Sequence, residues 1–362
     1  MAGLNETPQG NRIHIAFFGL RNAGKSTLVN AFTGQNLAIV SDVAGTTTDP
    51  VSKAMEILPL GPCLVTDTAG LDDVGELGEL RVKKTLDVLA TSDIAVWVCA
   101  EGDGEAAEAF RAECARRRVT VLDYRRGDSV DALKARIAAV RLADQPRDLL
   151  EGLVSRGDRV VCVCPIDESA PKGRLILPQV QLIRESLDRG AVAVVCQPGE
   201  LKSCLDGANL VVTDSQAFGE VKAVVGDKTR LTSFSILFAR QKGDVGEYLK
   251  GVSAIAHLKD GDTVLIAEGC THHRQCNDIG TVKLPKAISK LSGGKRLTFR
   301  FASGGTFEIG DAKLVVQCGG CMLNRREVMR RIDAARTAGV PITNYGLVLG
   351  AASGIELKDI TP

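Results

Sequence analysis

The sequence is poor in aromatic residues, poor in net charge and without any long apolar run. Aromatics make up 4% of its 362 residues, with one tryptophan, which leaves little of the stacking surface that nucleic-acid binders use. Lysine plus arginine number 45 against 44 acidic residues, a net charge of +1, so no global field draws the chain toward nucleic acid or a membrane surface. The longest apolar run, Ile94 to Ala100, is far short of the ~20 residues that a spanning helix needs. The opening MAGLNETPQGNR lacks a basic stretch followed by an apolar one, so it does not read as a secretory signal, and a cytoplasmic protein is expected. Eleven cysteines, an odd number, argue against a disulfide framework and for buried thiols or metal ligands.

What is present is an ordinary folded composition, 44% hydrophobic and 25% charged, long enough for two or three domains. From Arg12 to about residue 148, short Val/Ile/Leu-rich runs alternate with helical patterns, the signature of βαβ units on a parallel sheet. Strands are expected at Arg12–Phe18, Cys63–Asp67, Asp93–Cys99 and Val119–Leu122, and helices at Lys25–Phe32 and Gly78–Ala90. A second α/β rhythm opens at Asp158, with strands Arg159–Cys164, Ala191–Cys196 and Asn209–Thr213, each apolar enough to be buried on both faces. Its helix Pro178–Leu187 lines up Val180, Ile183 and Leu187 on one face. The third block is helical from Leu231 to about Leu258, then carries strands Thr263–Ala267, Arg296–Ala302 and Lys313–Gln317. Its last helix, Asn324–Ala338, turns Val328, Ile332 and Ala335 inward. Boundaries near 150 and 250 follow.

Gly19-Leu-Arg-Asn-Ala-Gly-Lys-Ser26 matches the phosphate-binding loop G-x-x-x-x-G-K-S between a strand and a helix. Its glycines let backbone N–H groups curl around phosphates at the positive end of a helix. Lys25 supplies charge to the terminal phosphates and Ser26 a hydroxyl to Mg²⁺. A chance match in a glycine-rich turn is outweighed by that setting. Asp67-Thr-Ala-Gly70 follows a strand and fits the loop that senses the γ-phosphate, with Asp67 near the metal. Ala44-Gly-Thr-Thr-Thr-Asp49 lies where a switch loop belongs, and Leu71 stands where a water-orienting glutamine could have been.

These loops resemble those of GTPases related to the tRNA-modifying enzyme MnmE, which read G-x-x-N-x-G-K-S, G-T-T-x-D and D-T-A-G. The resemblance implies a nucleotide site of Gly19, Asn22, Ala23, Gly24, Lys25, Ser26, Thr27, Thr47 and Asp67, with Ser26 and Thr47 on Mg²⁺. It implies Thr47, Asp67 and Gly70 as the catalytic set, and Asn22 as the asparagine that helps hold a K⁺ ion in place of an arginine finger. A weak, K⁺-stimulated GTPase is the expectation. The guanine end departs from the class. The chain has no Asn-Lys dipeptide, hence no N-K-x-D, and only one strand–helix pair follows Cys99 where this fold has two. Either a strand–helix unit is missing, or a diverged base loop uses Asp123 or Asp128.

Cys270-Thr-His272-His273 and Gln317-Cys318-Gly-Gly-Cys321 each end an expected strand, where parallel α/β sheets gather ligands. Three cysteines and a histidine suit a zinc site or an iron–sulfur cluster, and Cys318 with Cys321 could also be a redox dithiol. Cys63, Cys99, Cys162, Cys164 and Cys196 lie in or beside apolar strands and read as core residues.

Two further stretches, Val163-Cys-Pro-Ile-Asp-Glu-Ser-Ala-Pro-Lys-Gly-Arg-Leu-Ile-Leu-Pro-Gln-Val180 and Asp67-Thr-Ala-Gly-Leu-Asp-Asp-Val-Gly-Glu-Leu-Gly78, resemble the FeFe-hydrogenase maturation GTPase family HydF. So does the C-terminal pattern of C-x-H, a long gap and C-x-x-C, carried here by Cys270, His272, Cys318 and Cys321. The resemblance implies an α/β chain of three parts: a P-loop GTPase-like domain (1–148) shortened by one strand–helix unit, a dimerisation domain (149–250) and a 4Fe–4S cluster-binding domain (251–362). It implies a homodimer that carries a transient diiron precursor, works with radical-SAM maturases and delivers to apo-FeFe-hydrogenase. Cys270, Cys318 and Cys321 would hold the cluster. The family's histidine before C-x-x-C is Gln317 here, a far poorer ligand, so water, His272 or an exogenous group would take the fourth position. The competing reading is a zinc-stabilised regulatory GTPase acting on RNA or the ribosome. It would need a basic face, and Arg325, Arg326, Arg330 and Arg331 form a run that reads as a solvated helix face.

Overall fold

Burial on both faces of each central strand organises this molecule. The computed structural model describes residues 7–34, 50–73, 76–142, 147–166, 173, 175–269, 278–304 and 307–361. The chain divides into two compact units, residues 5–145 and 146–362.

The first unit is built from β1 (Ile13–Phe18), α1 (Lys25–Thr33), β2 (Val51–Ile57), β3 (Gly61–Asp67), α2 (Glu76–Thr91), β4 (Ile94–Val98), α3 (Gly104–Arg116), β5 (Thr120–Tyr124) and α4 (Val130–Ala138). Its sheet runs β2-β3-β1-β4-β5, with only β2 antiparallel to its neighbour. Strand periodicity sorts the core into two layers. Ile15, Phe17, Ile94 and Val96 pack with α1 and α4 on one face, while Ala16, Phe18, Ala95 and Trp97 pack with α2 and α3 on the other. The short apolar runs thus behave as expected, and α3 and β2 are additions to the sequence reading. Because α4 packs beside α1, it closes the sheet on the face away from α2 and α3. Among the described residues one strand–helix pair follows β4, so the unit is a P-loop GTPase-like fold shortened by one such pair.

The second unit holds two parallel four-stranded sheets. The first comprises β6 (Arg159–Val163), α5 (Leu177–Asp188), β7 (Val192–Cys196), α6 (Leu201–Cys204), β8 (Leu210–Thr213), α7 (Phe218–Val225), β9 (Arg230–Ser233) and α8 (Phe234–Lys242), ordered β7-β6-β8-β9. The second comprises α9 (Val245–Ala254), β10 (Thr263–Ala267), α10 (Leu284–Leu291), β11 (Thr298–Ala302), β12 (Leu314–Gln317), α11 (Arg325–Thr337), β13 (Ile342–Asn344) and α12 (Tyr345–Ala352), ordered β11-β10-β12-β13. One apolar core joins them: Val161 and Val211 from the first sheet pack with Val264, Ile266 and Val315 from the second. Helix α8 lies between, giving Phe234 and Phe238 to the outer core and Ile236 and Ala239 to the shared one. Close approach at α9 needs a glycine, because a Cβ on Gly251 would stand 2.1 Å from the Ile342 carbonyl oxygen.

Four readings are corrected here. Leu231 opens no helix: it belongs to β9, whose pairing with β8 outweighs local helical spacing. On α5 the buried positions are Gln179, Leu182 and Ser186, with Leu187 56% exposed, because Gln179 caps the helix start and binds Asp214. The Arg325–Arg331 run is not wholly solvated, since Arg331 is buried on Glu327 and the Gly304 carbonyl. Strand β7, also expected to be buried, lies at a sheet edge with Val192 and Val195 exposed.

Candidate functional sites

At the carboxyl end of β1 the chain leaves the sheet at buried Gly19, where a Cβ would stand 2.7 Å from the Val98 carbonyl oxygen. Asn22 adopts φ 61° and Gly24 φ 93°, the left-handed turns that curl the loop into α1. Asn22, Gly24 and Thr27 are exposed at its mouth and Ala23 is half-buried. Lys25 is buried and donates to the carbonyls of Gly19 (3.2 Å) and Leu20 (2.7 Å). Burial lowers the pKa of its ammonium, against the pull of Asp67, Asp72 and Asp73. Ser26 Oγ donates to Asp67 Oδ2 at 2.6 Å, while Asp67 Oδ1 is buried with no hydrogen-bond partner. Burial raises the Asp67 pKa, offset by Ser26 and Lys25. An orphaned carboxylate oxygen beside a hydroxyl and an ammonium is the donor set a hard divalent cation with a phosphate would complete.

The Asp67–Gly70 turn is pressed on this loop. A Cβ on Gly70 would lie 2.8 Å from the Arg21 nitrogen, and Arg21 N–H donates to Asp72 Oδ1 at 2.5 Å. Sequence reasoning passed over Asp72 and Asp73. The latter pairs with Arg21 (3.7 Å) and Arg81 (3.3 Å). Thr47 lies outside the described residues. Of the two carboxylates expected in a diverged base loop, Asp123 is held by Arg111 through both oxygens at 3.0 Å, and Asp128 accepts from Arg125 N–H at 2.9 Å.

The second candidate site lies at the carboxyl ends of β10 and β12. Cys318 and Cys321 are half-buried, in a turn that Gly320 shapes with φ 68°. Cys318 Sγ accepts the Gly269 N–H at 3.1 Å. Burial raises the pKa of both thiols, that of Cys321 to about 11. Cys270, His272, His273 and Cys276 lie outside the described residues. Gln317 is buried between β12 and α9, where its amide N–H donates to the Tyr248 hydroxyl and its Oε1 has no hydrogen-bond partner among the described residues. The residue that sequence reasoning missed is Lys242, at the end of α8. Its ammonium donates to the carbonyls of Gly320, Cys321 and Leu323. No motif could have found it, because its role depends on packing across 78 residues of sequence. Of the cysteines expected in the core, Cys63, Cys162 and Cys164 are buried, while Cys99 and Cys196, at strand ends, are half-buried; Cys114 is buried as well.

The model described as Hydrogen maturase F dimerization domain matches residues 149–243, and that described as Hydrogen maturase F tetramerization domain matches residues 246–362. The chain belongs to the hydrogen maturase F family. Ahead of these modules, this hydrogen maturase F chain matches a third model, 50S ribosome-binding GTPase, over residues 14–126. Among curated proteins, the tRNA modification GTPase MnmE of Endomicrobium trichonymphae is 41% identical over 88 residues, 24% of this chain and 19% of that protein. GTPase Der of Xylella fastidiosa (strain M23) is 38% identical over 153 residues, 40% of this chain and 30% of that protein. The chain thus spans less than a third of the length of either. A solved structure of Era in complex with MgGDPNP and nucleotides 1506-1542 of 16S ribosomal RNA covers 90% of this chain and 97% of its own at 16% identity, with a TM-score of 0.29. So weak a superposition says nothing more about this hydrogen maturase F chain. Among the described residues, no helix is long and apolar enough to cross a membrane.

Proposed function

We propose that this chain is a nucleotide-responsive scaffold, which holds a 4Fe–4S cluster through Cys270, Cys318 and Cys321 and passes a diiron precursor to apo-FeFe-hydrogenase. The observation that carries the reading is the contact between strand ends: the sulfur of Cys318 accepts the N–H of Gly269, the residue before Cys270. The donor set suits a cluster. Thiolates are the usual iron ligands, N–H···S bonds stabilise their charge, and a buried ammonium stands behind the turn. Bound there, a cluster with three thiolate ligands supplies one iron whose remaining ligand exchanges, which accepting and releasing a precursor requires. A carboxamide such as Gln317 is a far poorer iron ligand than an imidazole, so the fourth position falls to His272, water or the cargo.

The division of labour follows the three segments 1–148, 149–250 and 251–362. In the first, Gly19 to Thr27, with Asp67, binds a nucleoside triphosphate and Mg²⁺ through Ser26 and Thr47. Thr47, Asp67 and Gly70 respond to the γ-phosphate, and Asn22 helps hold K⁺. Hydrolysis is slow and regulatory, since Leu71 places no polar group toward an attacking water. In the second, the exposed edge of β7 supports a homodimer. Radical-SAM maturases supply the precursor in the cytoplasm.

Metal and sulfide analysis with EPR, on protein reconstituted without oxygen, tests the cluster. About four irons and four sulfides per chain, lost in Cys270→Ser, are expected. Stoichiometric zinc in a colourless protein would overturn the carrier reading in favour of a zinc-stabilised GTPase.

A further inference from the structure

Lys242 is 1% exposed. An ammonium has three donors, and here they go to the carbonyls of Gly320 (3.2 Å), Cys321 (3.3 Å) and Leu323 (2.7 Å), all in the turn that carries the two thiols. The Phe238 ring lies 5.3 Å from the nitrogen on the same helix. Among the described residues Lys242 pairs with no carboxylate. The contrast with Arg331 is instructive: that buried guanidinium is neutralised by Glu327 at 2.7 Å. A buried charge is strongly disfavoured unless an anion compensates it, and carbonyl dipoles compensate only in part. The turn whose carbonyls Lys242 binds carries Cys318 and Cys321, whose sulfurs become anions when metal ligation ionises them. Lysine and turn also come from different parts of the chain, since α8 ends in the segment matched by the dimerization model and the turn lies in the tetramerization segment.

We propose that Lys242 is a positioning residue of the cluster site: it clamps the Gly320–Leu323 turn so that Cys318 and Cys321 present their sulfurs together, and its charge offsets that of the thiolate-bound cluster. The inference rests on the carrier reading and adds a residue from outside the cysteine motif. It also makes the hold on the cluster sensitive to how α8 is seated, and α8 packs in both cores of this unit.

The test compares wild type, Lys242→Met and Lys242→Arg after anaerobic reconstitution, reading thermal midpoint, cluster loss to a chelator and the cluster's midpoint potential. Lys242→Met is expected to keep its fold, lose the cluster about ten-fold faster and shift the potential downward. The downward shift follows because an electron enters less readily without the nearby cation. Lys242→Arg, which keeps the charge, is expected to hold the wild-type potential. Lys242→Met with wild-type potential and wild-type chelator resistance overturns the proposal while leaving the cluster reading intact. A wild-type chain that takes up no iron and sulfide overturns both. Should Lys242→Met fail to fold, Lys242→Arg decides: a wild-type potential supports the electrostatic role and a lowered one refutes it.

Discussion

Asp67, in the proposed nucleotide site, is held buried at the expense of stability. Its carboxyl is buried, one oxygen serving Ser26 and the other unpartnered. Burial raises its pKa above the ordinary value. A carboxyl with a raised folded-state pKa binds its proton more tightly when folded, so this group's contribution favours the folded state in acid and is lost as pH rises through the folded value. Asp67→Asn keeps the shape without the charge. Urea unfolding without nucleotide should therefore find it more stable than wild type near neutrality, with the gap closing in acid. Equilibrium binding of Mg²⁺–nucleotide should be weakened at least about ten-fold, because the metal loses its carboxylate. A variant that bound normally would remove Asp67 from the metal site. That Lys25 and Ser26 open a helix after a glycine turn was legible from the motif, because the backbone geometry dictates it. The clamp of Asp72 on Arg21 was not, because it joins residues 51 apart in sequence.

At the scale of elements, β7 differs from the two central strands of its sheet. Apolar in sequence like β6 and β8, it has one neighbour instead of two, and leaves Val192 and Val195 50% and 46% exposed. Composition cannot tell an edge strand from a central one when both are Val-rich, since sheet order is a tertiary property. An apolar edge with unpaired N–H and C=O groups invites another strand. Val195→Lys puts a charge on that edge without touching the core. Sedimentation is expected to show a smaller assembly with unchanged circular dichroism and unchanged cluster content. An assembly of wild-type size would separate this edge from self-association. The same lesson applies at α5, where the apolar stripe of Val180, Ile183 and Leu187 was legible but Gln179 took an inward place through its bond to Asp214.

For the whole molecule, the truncated sheet bears on nucleotide choice. One strand–helix pair follows β4 among the described residues, and the two carboxylates that a diverged base loop would use are engaged, Asp123 by Arg111 and Asp128 by the Arg125 backbone. Strong rejection of a competing base needs a polar group that the wrong base leaves unpaired. Competition binding is therefore expected to find GTP preferred over ATP by less than about ten-fold, where a dedicated hydrogen-bonding pocket reaches about 10⁴. Selectivity of that larger size would mean that a base-reading group has been supplied from elsewhere in the chain.

The sequence by itself determined the phosphate loop, the parallel α/β rhythm and the C-x-x-C turn. Each is written in residues a few positions apart, whose spacing imposes backbone geometry or face. Only the tertiary structure decided that two sheets share one core, that β9 is a strand, that Gln317 turns to Tyr248 and that Lys242 stands behind the cysteine turn. Those outcomes depend on which buried group finds a partner across tens of residues, and local spacing carries no record of that choice.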